Sequence, residues 1–524
     1  MSEKAAKSLE QVHSTSEPLE VSPTQDGKRH YVYHEDERKE RFSQGSKAIA
    51  ILSVVCAGAA LVSDGYSNNV MTMLNKVYAF KYPKAYTGDM SASVSNASLV
   101  GTILGQFFVG FCCDLLSRRF CIIVGTVLIV LGFFLSAVAH GKTTQGMFWM
   151  IVVFRGVTGF GVGAEYPSSS LTASEAANEK IKRRSRAFIL ATNLPLSFGG
   201  PFASIVFLIV NKITKSHLNA LWRTMFALGC FWPLIIFYFR IKMTDSVLFK
   251  KSAVRRPTPR FYWLSLKYYG LRLLGTCLCW FMYDFVAFSS GIYSSTIISA
   301  VVKNGGKGMA HQAYLEVLAE WQLLVGALAL PGVFLGALVI DKLGRKYTML
   351  IGFTGYIVIG LIVGCAFGPI KRKTAAFIVL YGLMASSGNF GPGNCLGLVS
   401  SESFATPIRG TFYGISAVIG KVGAVCGTKA FQKVLKIGTN SQSGVRWVFI
   451  IAACIGAAGV ILTFLLIPNI RADDLLQEDI KFKNYLRNND YHGQIGLTVE
   501  DDEQDLHSDE TETDGDGEIQ KLHM

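Results

Sequence analysis

Five ionisable residues lie where water should not reach. Asp64, Arg155, Glu165, Asp284 and Lys421 each fall well inside a long apolar stretch of this 524-residue chain. A charged side chain at the centre of a bilayer costs about 2.5–3.5 kcal/mol on insertion scales, so each is a functional candidate by default. Three acids and two bases held in low dielectric can load and unload protons as their surroundings change. Lys421 can attract an anion or pair with Asp64. Trp280, Asp284 and Phe288 are spaced i, i+4, i+8 and share one helix face, which reads as a substrate-facing wall. The chain has no zinc, nucleotide or nucleophile motif, and its glycines never form a phosphate-binding loop ending in Lys-Ser or Lys-Thr. No metal, no cofactor and no enzyme chemistry are expected.

Those charges need elements to hold them. Half of the residues are apolar and only 17% are charged, against about 25% in soluble domains. Mean hydropathy is +0.34. A bilayer core of about 30 Å takes roughly 20 apolar residues per helix. Twelve stretches qualify: 47–74, 94–114, 119–139, 147–172, 186–211, 221–241, 268–300, 319–341, 347–368, 374–398, 410–435 and 446–467. The expected fold is therefore an all-α membrane protein with twelve transmembrane helices. The eleven cysteines lie in or beside these runs and read as small apolar residues.

Charge distribution orients the bundle. Between Lys47 and Ala472 there are twelve acids and 40 bases, most of the bases in short runs between apolar stretches. That pattern fits a membrane protein and excludes a basic nucleic-acid groove. The basic loops after spans 2, 4, 6 and 8 belong in the cytoplasm with both termini, and Lys371, Arg372 and Lys373 are a local exception.

The chain also repeats. Asp114, Arg118 and Arg119 match Asp341, Arg345 and Lys346 at an offset of 227 residues, and Glu175 matches Glu402 at the same offset. One offset shared by two loop motifs implies two six-helix halves, 47–241 and 268–468, joined by a basic linker at 242–267. Residues 1–46 read as a disordered N-terminal tail. Residues 469–524 read as an acidic cytoplasmic tail, disordered from Asp473 onward because it has few large apolar residues.

With these motifs in view, GFCCDLLSRR at 110–119 and ALVIDKLGRK at 337–346 resemble the loop signature of the major facilitator superfamily. GFGVGAEYP at 159–167, WFMYDFVAF at 280–288 and the 402–424 segment around Lys421 are similar to the phosphate:proton symporters. The AEYPSSS ending looks most like the fungal glycerophosphoinositol and glycerophosphodiester permeases. The resemblance covers roughly 47–468.

The resemblance implies roles residue by residue. Tyr166 becomes a phosphate hydrogen-bond donor, Glu165 a proton relay held by Arg155, and Asn193 a shortened phosphate-contacting amide. At Phe288 the family's tyrosine hydroxyl is missing. Gly393 stands where the family has a contacting Asn, a donor that Asn394 could supply from the next position. Losing donors and volume suits a phosphate bearing a bulky ester. Asp114, Arg118, Arg119, Glu175, Asp341, Arg345, Glu402 and Arg409 would pair across the cytoplasmic ends and govern the conformational switch.

The expected function is proton-coupled import of a small anionic phosphodiester across the plasma membrane by alternating access, with protons, substrate and the lipid bilayer as partners and a monomer as the working unit. Protons would enter through Asp64 and Glu165, and Asp284 would be protonated with the anion bound. Inorganic phosphate is the alternative substrate. A non-transporting nutrient sensor is the alternative from another class.

Overall fold

The computed structural model describes residues 21–23, 29–31, 47–115, 118–180, 184–215, 217–241, 258–302, 310–437, 441–469, 475–489 and 491. The first half comprises α1 (Lys47–Lys81), α2 (Gly88–Leu115), α3 (Arg118–Ala137), α4 (Thr144–Lys180), α5 (Arg184–Thr214), α6 (Leu218–Gly229) and α7 (Phe231–Ile241). The second comprises α8 (Pro259–Ile292), α9 (Ser294–Ser299), α10 (His311–Leu343), α11 (Arg345–Cys365), α12 (Phe367–Ile370), α13 (Thr374–Gly388), a π turn (Asn389–Gly393), α14 (Asn394–Glu402), α15 (Thr406–Val434) and α16 (Ser441–Leu466). A last helix, α17 (Leu475–Asn488), follows. Among the described residues ten helices are long and apolar enough to cross a bilayer. The α1 helix and the broken α13–α14 rod supply the other two of the expected twelve.

The outer surface is apolar because lipid, not water, is its solvent. Phe108, Phe134, Leu271, Phe464 and Leu465 all stand exposed, where a soluble protein would hide such residues. Inside, small residues let helices close up. A Cβ on Gly159 of α4 would lie 2.0 Å from the Ser98 carbonyl oxygen of α2, so only glycine permits that crossing. Gly344, at φ 81°, turns α10 into α11 and presents Arg345 at the bundle end.

Two spans break where proline removes a backbone donor. The sixth splits into α6 and α7 at Cys230, because Pro233 cannot donate to the Gly229 carbonyl. The tenth opens into the π turn that contains Pro392, a wide turn of the kind found at functional sites. The seventh reading, 268–300, begins earlier than expected. Thr258 caps α8 by accepting from the Phe261 amide, and Pro259 follows at the first helical position. The end of the basic linker is therefore helix.

Both tails depart from the expectation of disorder. Val21–Pro23 and Arg29–Tyr31 form a two-stranded antiparallel ribbon with Val21 opposite Tyr31. More consequentially, α17 docks on α8 and α15. Phe482, Leu486 and Tyr491 are buried against Phe261, Tyr269, Phe404, Ile408 and Phe412. The apolar contacts of this one amphipathic segment outweigh its acidic surroundings.

Candidate functional site

The two halves meet along α1 against α8 and α9, α2 against α15, and α5 against α10. On that seam lies a closed chamber of about 150 Å³. The α8 helix supplies Trp280, Tyr283, Asp284 and Phe288, α15 supplies Lys421, and the first half adds Asn69, Tyr166 and Asn193. Trp280, Asp284 and Phe288 all reach it, as their shared face requires.

Lys421 pairs with Asp284, not with Asp64. Its Nζ donates to Asp284 Oδ2 at 2.7 Å, and both residues are buried. The ammonium also sits 3.8 Å from the centre of the Phe288 ring and 5.9 Å from that of Tyr166. The missing hydroxyl at Phe288 thus leaves a bare aromatic face over the cation, a favourable electrostatic contact. Trp280 packs edge-on against Tyr413 at 5.5 Å and Tyr166 at 6.3 Å, forming an aromatic floor. A Cβ on Gly420 would reach 2.5 Å from the Trp280 ring, so glycine is needed next to Lys421.

Asp64 and Glu165 lie behind this chamber and do not line it. The expected Arg155–Glu165 pair is absent: Arg155 Nε donates to the Val94 carbonyl at 3.0 Å, in α2. Glu165 is held instead by Arg240 of α7. One guanidinium nitrogen contacts Glu165 Oε1 and Thr126 Oγ1, and the other donates to Glu165 Oε2 at 3.1 Å. Thr126 Oγ1 also donates to Glu165 Oε1 at 2.7 Å. Arg240 escaped the sequence reading because it ends a span, where a base usually marks topology. Asp64 differs from every other acid in the core. It is fully buried and neither carboxylate oxygen has a hydrogen-bond partner, while the charges of Glu165, Arg240 and Lys421 act on it.

Asn394 does not replace the missing donor at Gly393. Its Oδ1 accepts from Asn193 Nδ2 at 2.7 Å and its Nδ2 donates to the Val333 carbonyl at 3.1 Å. It is a strut between halves, one that engages one of the two N–H groups of the Asn193 amide. Tyr283 and Asn389 join Asn69, Tyr166, Ser197 and Trp280 among the donor-bearing groups on the chamber wall, with Tyr283 donating to Asn389 Oδ1 at 3.3 Å. The Tyr283 hydroxyl lies 2.7 Å from where a Cβ on Gly393 would stand. It takes the space that an asparagine there would need. Tyr283 is three residues after Trp280, a neighbouring helix position that could have flagged it.

The end of the bundle bearing the loop motifs is closed. Arg345 grips Glu402 with two bonds, at 2.9 and 3.0 Å, and its Nη2 donates across the halves to Ser185 Oγ at 2.7 Å. Arg409 Nε donates to the Phe404 carbonyl at 3.1 Å, and its Nη2 is 4.0 Å from Asp479 Oδ1 of α17. Asp479 also accepts from the Thr406 amide and hydroxyl, both at 2.7 Å, so α17 caps α15. Asp341 is exposed. The side chains of Asp114, Arg118, Arg119 and Glu175 lie outside the described residues. The opposite end is shut as well. Gln312 Nε2 donates to the Asn211 carbonyl at 3.1 Å, and Ser295 Oγ to the Thr72 carbonyl at 2.6 Å. The chamber is occluded from both sides.

Two helical halves closing on a charged chamber at mid-membrane define a secondary transporter of the major facilitator fold. The chain belongs to the sugar (and other) transporter family, whose model matches residues 50–482. It is 59% identical over 494 residues to glycerophosphoinositol permease 1 of Candida albicans, covering 94% of this chain and 93% of that one. It is 48% identical over 494 residues to glycerophosphoinositol transporter 1 of Saccharomyces cerevisiae, covering 94% and 92%. The low affinity inorganic phosphate transporter 3 of Petunia hybrida is a more distant relative, at 26% identity over 81% of this chain and 90% of its own length. Among solved structures, the proton:xylose symporter XylE bound to 6-bromo-6-deoxy-D-glucose superposes with a TM-score of 0.66 at 18% identity, covering 83% of this chain and 98% of that one.

Proposed function

We propose that this protein imports glycerophosphodiesters across the plasma membrane together with protons, by alternating access, as a monomer with both termini in the cytoplasm. The observation that carries the proposal is the Lys421–Asp284 pair closing the chamber, with the unpaired Asp64 buried nearby. Lys421 is engaged by Asp284. A proton delivered to Asp284 cancels its charge and frees the ammonium for a phosphate oxygen. Anion and proton then enter together. With all five core groups ionised, Asp64, Glu165, Asp284, Arg240 and Lys421 sum to −1, and Asp64 is the member without a partner. An isolated buried carboxylate is strongly disfavoured as an anion, which makes Asp64 the second proton carrier, while Arg240 holds Glu165 in place.

The preference for a diester over inorganic phosphate rests on donors. Phe288 offers a ring face without a hydroxyl, and the amide of Asn193 is engaged by Asn394. A single ammonium, with no hydroxyl at Phe288 beside it, suits a phosphate carrying one charge and two free oxygens. The names of the two fungal relatives support the same substrate class.

Uptake of radiolabelled glycerophosphoinositol in a cell lacking its own permeases tests both parts. It is expected to rise at acid pH and collapse with a protonophore. Uptake indifferent to both removes the coupling, and a cell that accumulates only inorganic phosphate removes the substrate.

A further inference from the structure

A second cavity of about 190 Å³ adjoins the charged chamber, and the two share Tyr283, Asn389 and Ser197 in their walls. Its lining contains no Asp, Glu, Lys, Arg or His. Its polar groups are the hydroxyls of Ser197, Tyr283, Ser290, Ser294, Tyr356 and Tyr381 and the amides of Asn69, Gln322 and Asn389. From this juxtaposition we infer that the second lobe is a subsite for a neutral, polyhydroxylated head group, and that Ser290 and Gln322 determine specificity for it. The inference rests on the phosphodiester reading above and assigns the ester's other end.

Two features point to a ligand. The Ser290 hydroxyl is buried, lines the lobe and, among the described residues, has no hydrogen-bond partner. Its position is fixed, because the Tyr381 hydroxyl donates to the Ser290 carbonyl at 2.8 Å. A buried hydroxyl left unpaired is costly, and an incoming hydroxyl would satisfy it. Gln322 accepts from the Ser294 hydroxyl through Oε1, and among the described residues its Nε2 has no hydrogen-bond partner. One side of the lobe thus presents a donor amide, and the other a hydroxyl that can donate or accept.

The tyrosine rings of 356 and 381 complete the lining. They can pack against the C–H face of a cyclic polyol while its hydroxyls reach the amides. A quaternary ammonium head group would gain from a carboxylate, and the lobe holds none. Inorganic phosphate would fill the Lys421 lobe and leave this one empty. The neck at Tyr283 and Asn389 is where the glycerol link would pass.

Two substitutions test the inference in whole-cell uptake, with surface expression measured in parallel. Ser290→Ala removes a hydroxyl that bonds nothing among the described residues. It is expected to raise KM for glycerophosphoinositol about fivefold, the size of one neutral hydrogen bond, with KM for glycerophosphocholine changed less than about twofold on the same bond ledger. Gln322→Glu places a carboxylate in the lobe and is expected to turn preference toward glycerophosphocholine. Equal changes for both diesters, or none for either, overturn the assignment of the lobe while leaving diester transport standing. A wild-type protein that carries neither diester, but does carry phosphate, overturns the reading beneath it and the lobe with it.

Discussion

Each half buries an ion pair near the chamber, and these two pairs are built for different work. In the first half, Glu165 and Arg240 are bonded through both carboxylate oxygens, with Thr126 adding a further contact, and neither residue lines the chamber. In the second half, Asp284 and Lys421 share a single bond, and the ammonium faces an aromatic ring and the chamber. A doubly bonded pair set back from the chamber acts as a fixed strut. A single bond beside a cavity can be exchanged for a ligand. Asp64 lies between them without a partner of its own.

Removing one member of each pair sharpens that contrast. Arg240→Leu leaves Glu165 as an uncompensated buried charge, which costs about 3–5 kcal/mol in comparable pairs. The protein is expected to be lost from the membrane, and Glu165→Leu added to Arg240→Leu is expected to restore its amount, as read by surface expression. Normal levels of Arg240→Leu alone would break the strut argument. Asp284→Asn leaves Lys421 facing a polar chamber, so the protein is expected to reach the surface. Flux should fall about a hundredfold or more, since each 1.36 kcal/mol of lost stabilisation is tenfold in rate. Near-normal flux would take Asp284 out of the site.

The third expectation concerns α17. Asp479→Ala removes the cap on α15, worth about 1 kcal/mol, and weakens the ion pair with Arg409. A drop of a few degrees in melting temperature is expected, with KM changed little. A large change in KM with no loss of stability would mean that α17 acts on the chamber and not on the helix end.

The sequence carried both members of the second-half pair, though it set Lys421 against Asp64, and only one member of the first. Trp280, Asp284 and Phe288 lie deep in one span at helical spacing, and a charge there has no bland explanation. Arg240 closes its span, so its inward aim depends on how Pro233 redirects the chain at Cys230. No linear pattern contains that. Tyr283 sits one helix position off the predicted wall and was hidden by the wall's own regularity. Asn394 was read as a donor because its type was right, but its two amide atoms were already committed to Asn193 and Val333. In the tail, Phe482 and Leu486 are four residues apart, a signal drowned by the sixteen acids around them. The helical fold itself was legible because lipid imposes it on any chain this apolar.

The central claim is that a proton on Asp284 releases Lys421 to the anion. It is tested most directly by measuring glycerophosphoinositol affinity for the purified protein across pH, wild type against Asp284→Asn. If one proton is taken up at Asp284 with each anion, wild-type affinity weakens by up to about tenfold per pH unit on the alkaline side. The account expects Asp284→Asn to bind the anion with that proton-linked slope removed. A variant that keeps the full wild-type slope would contradict it.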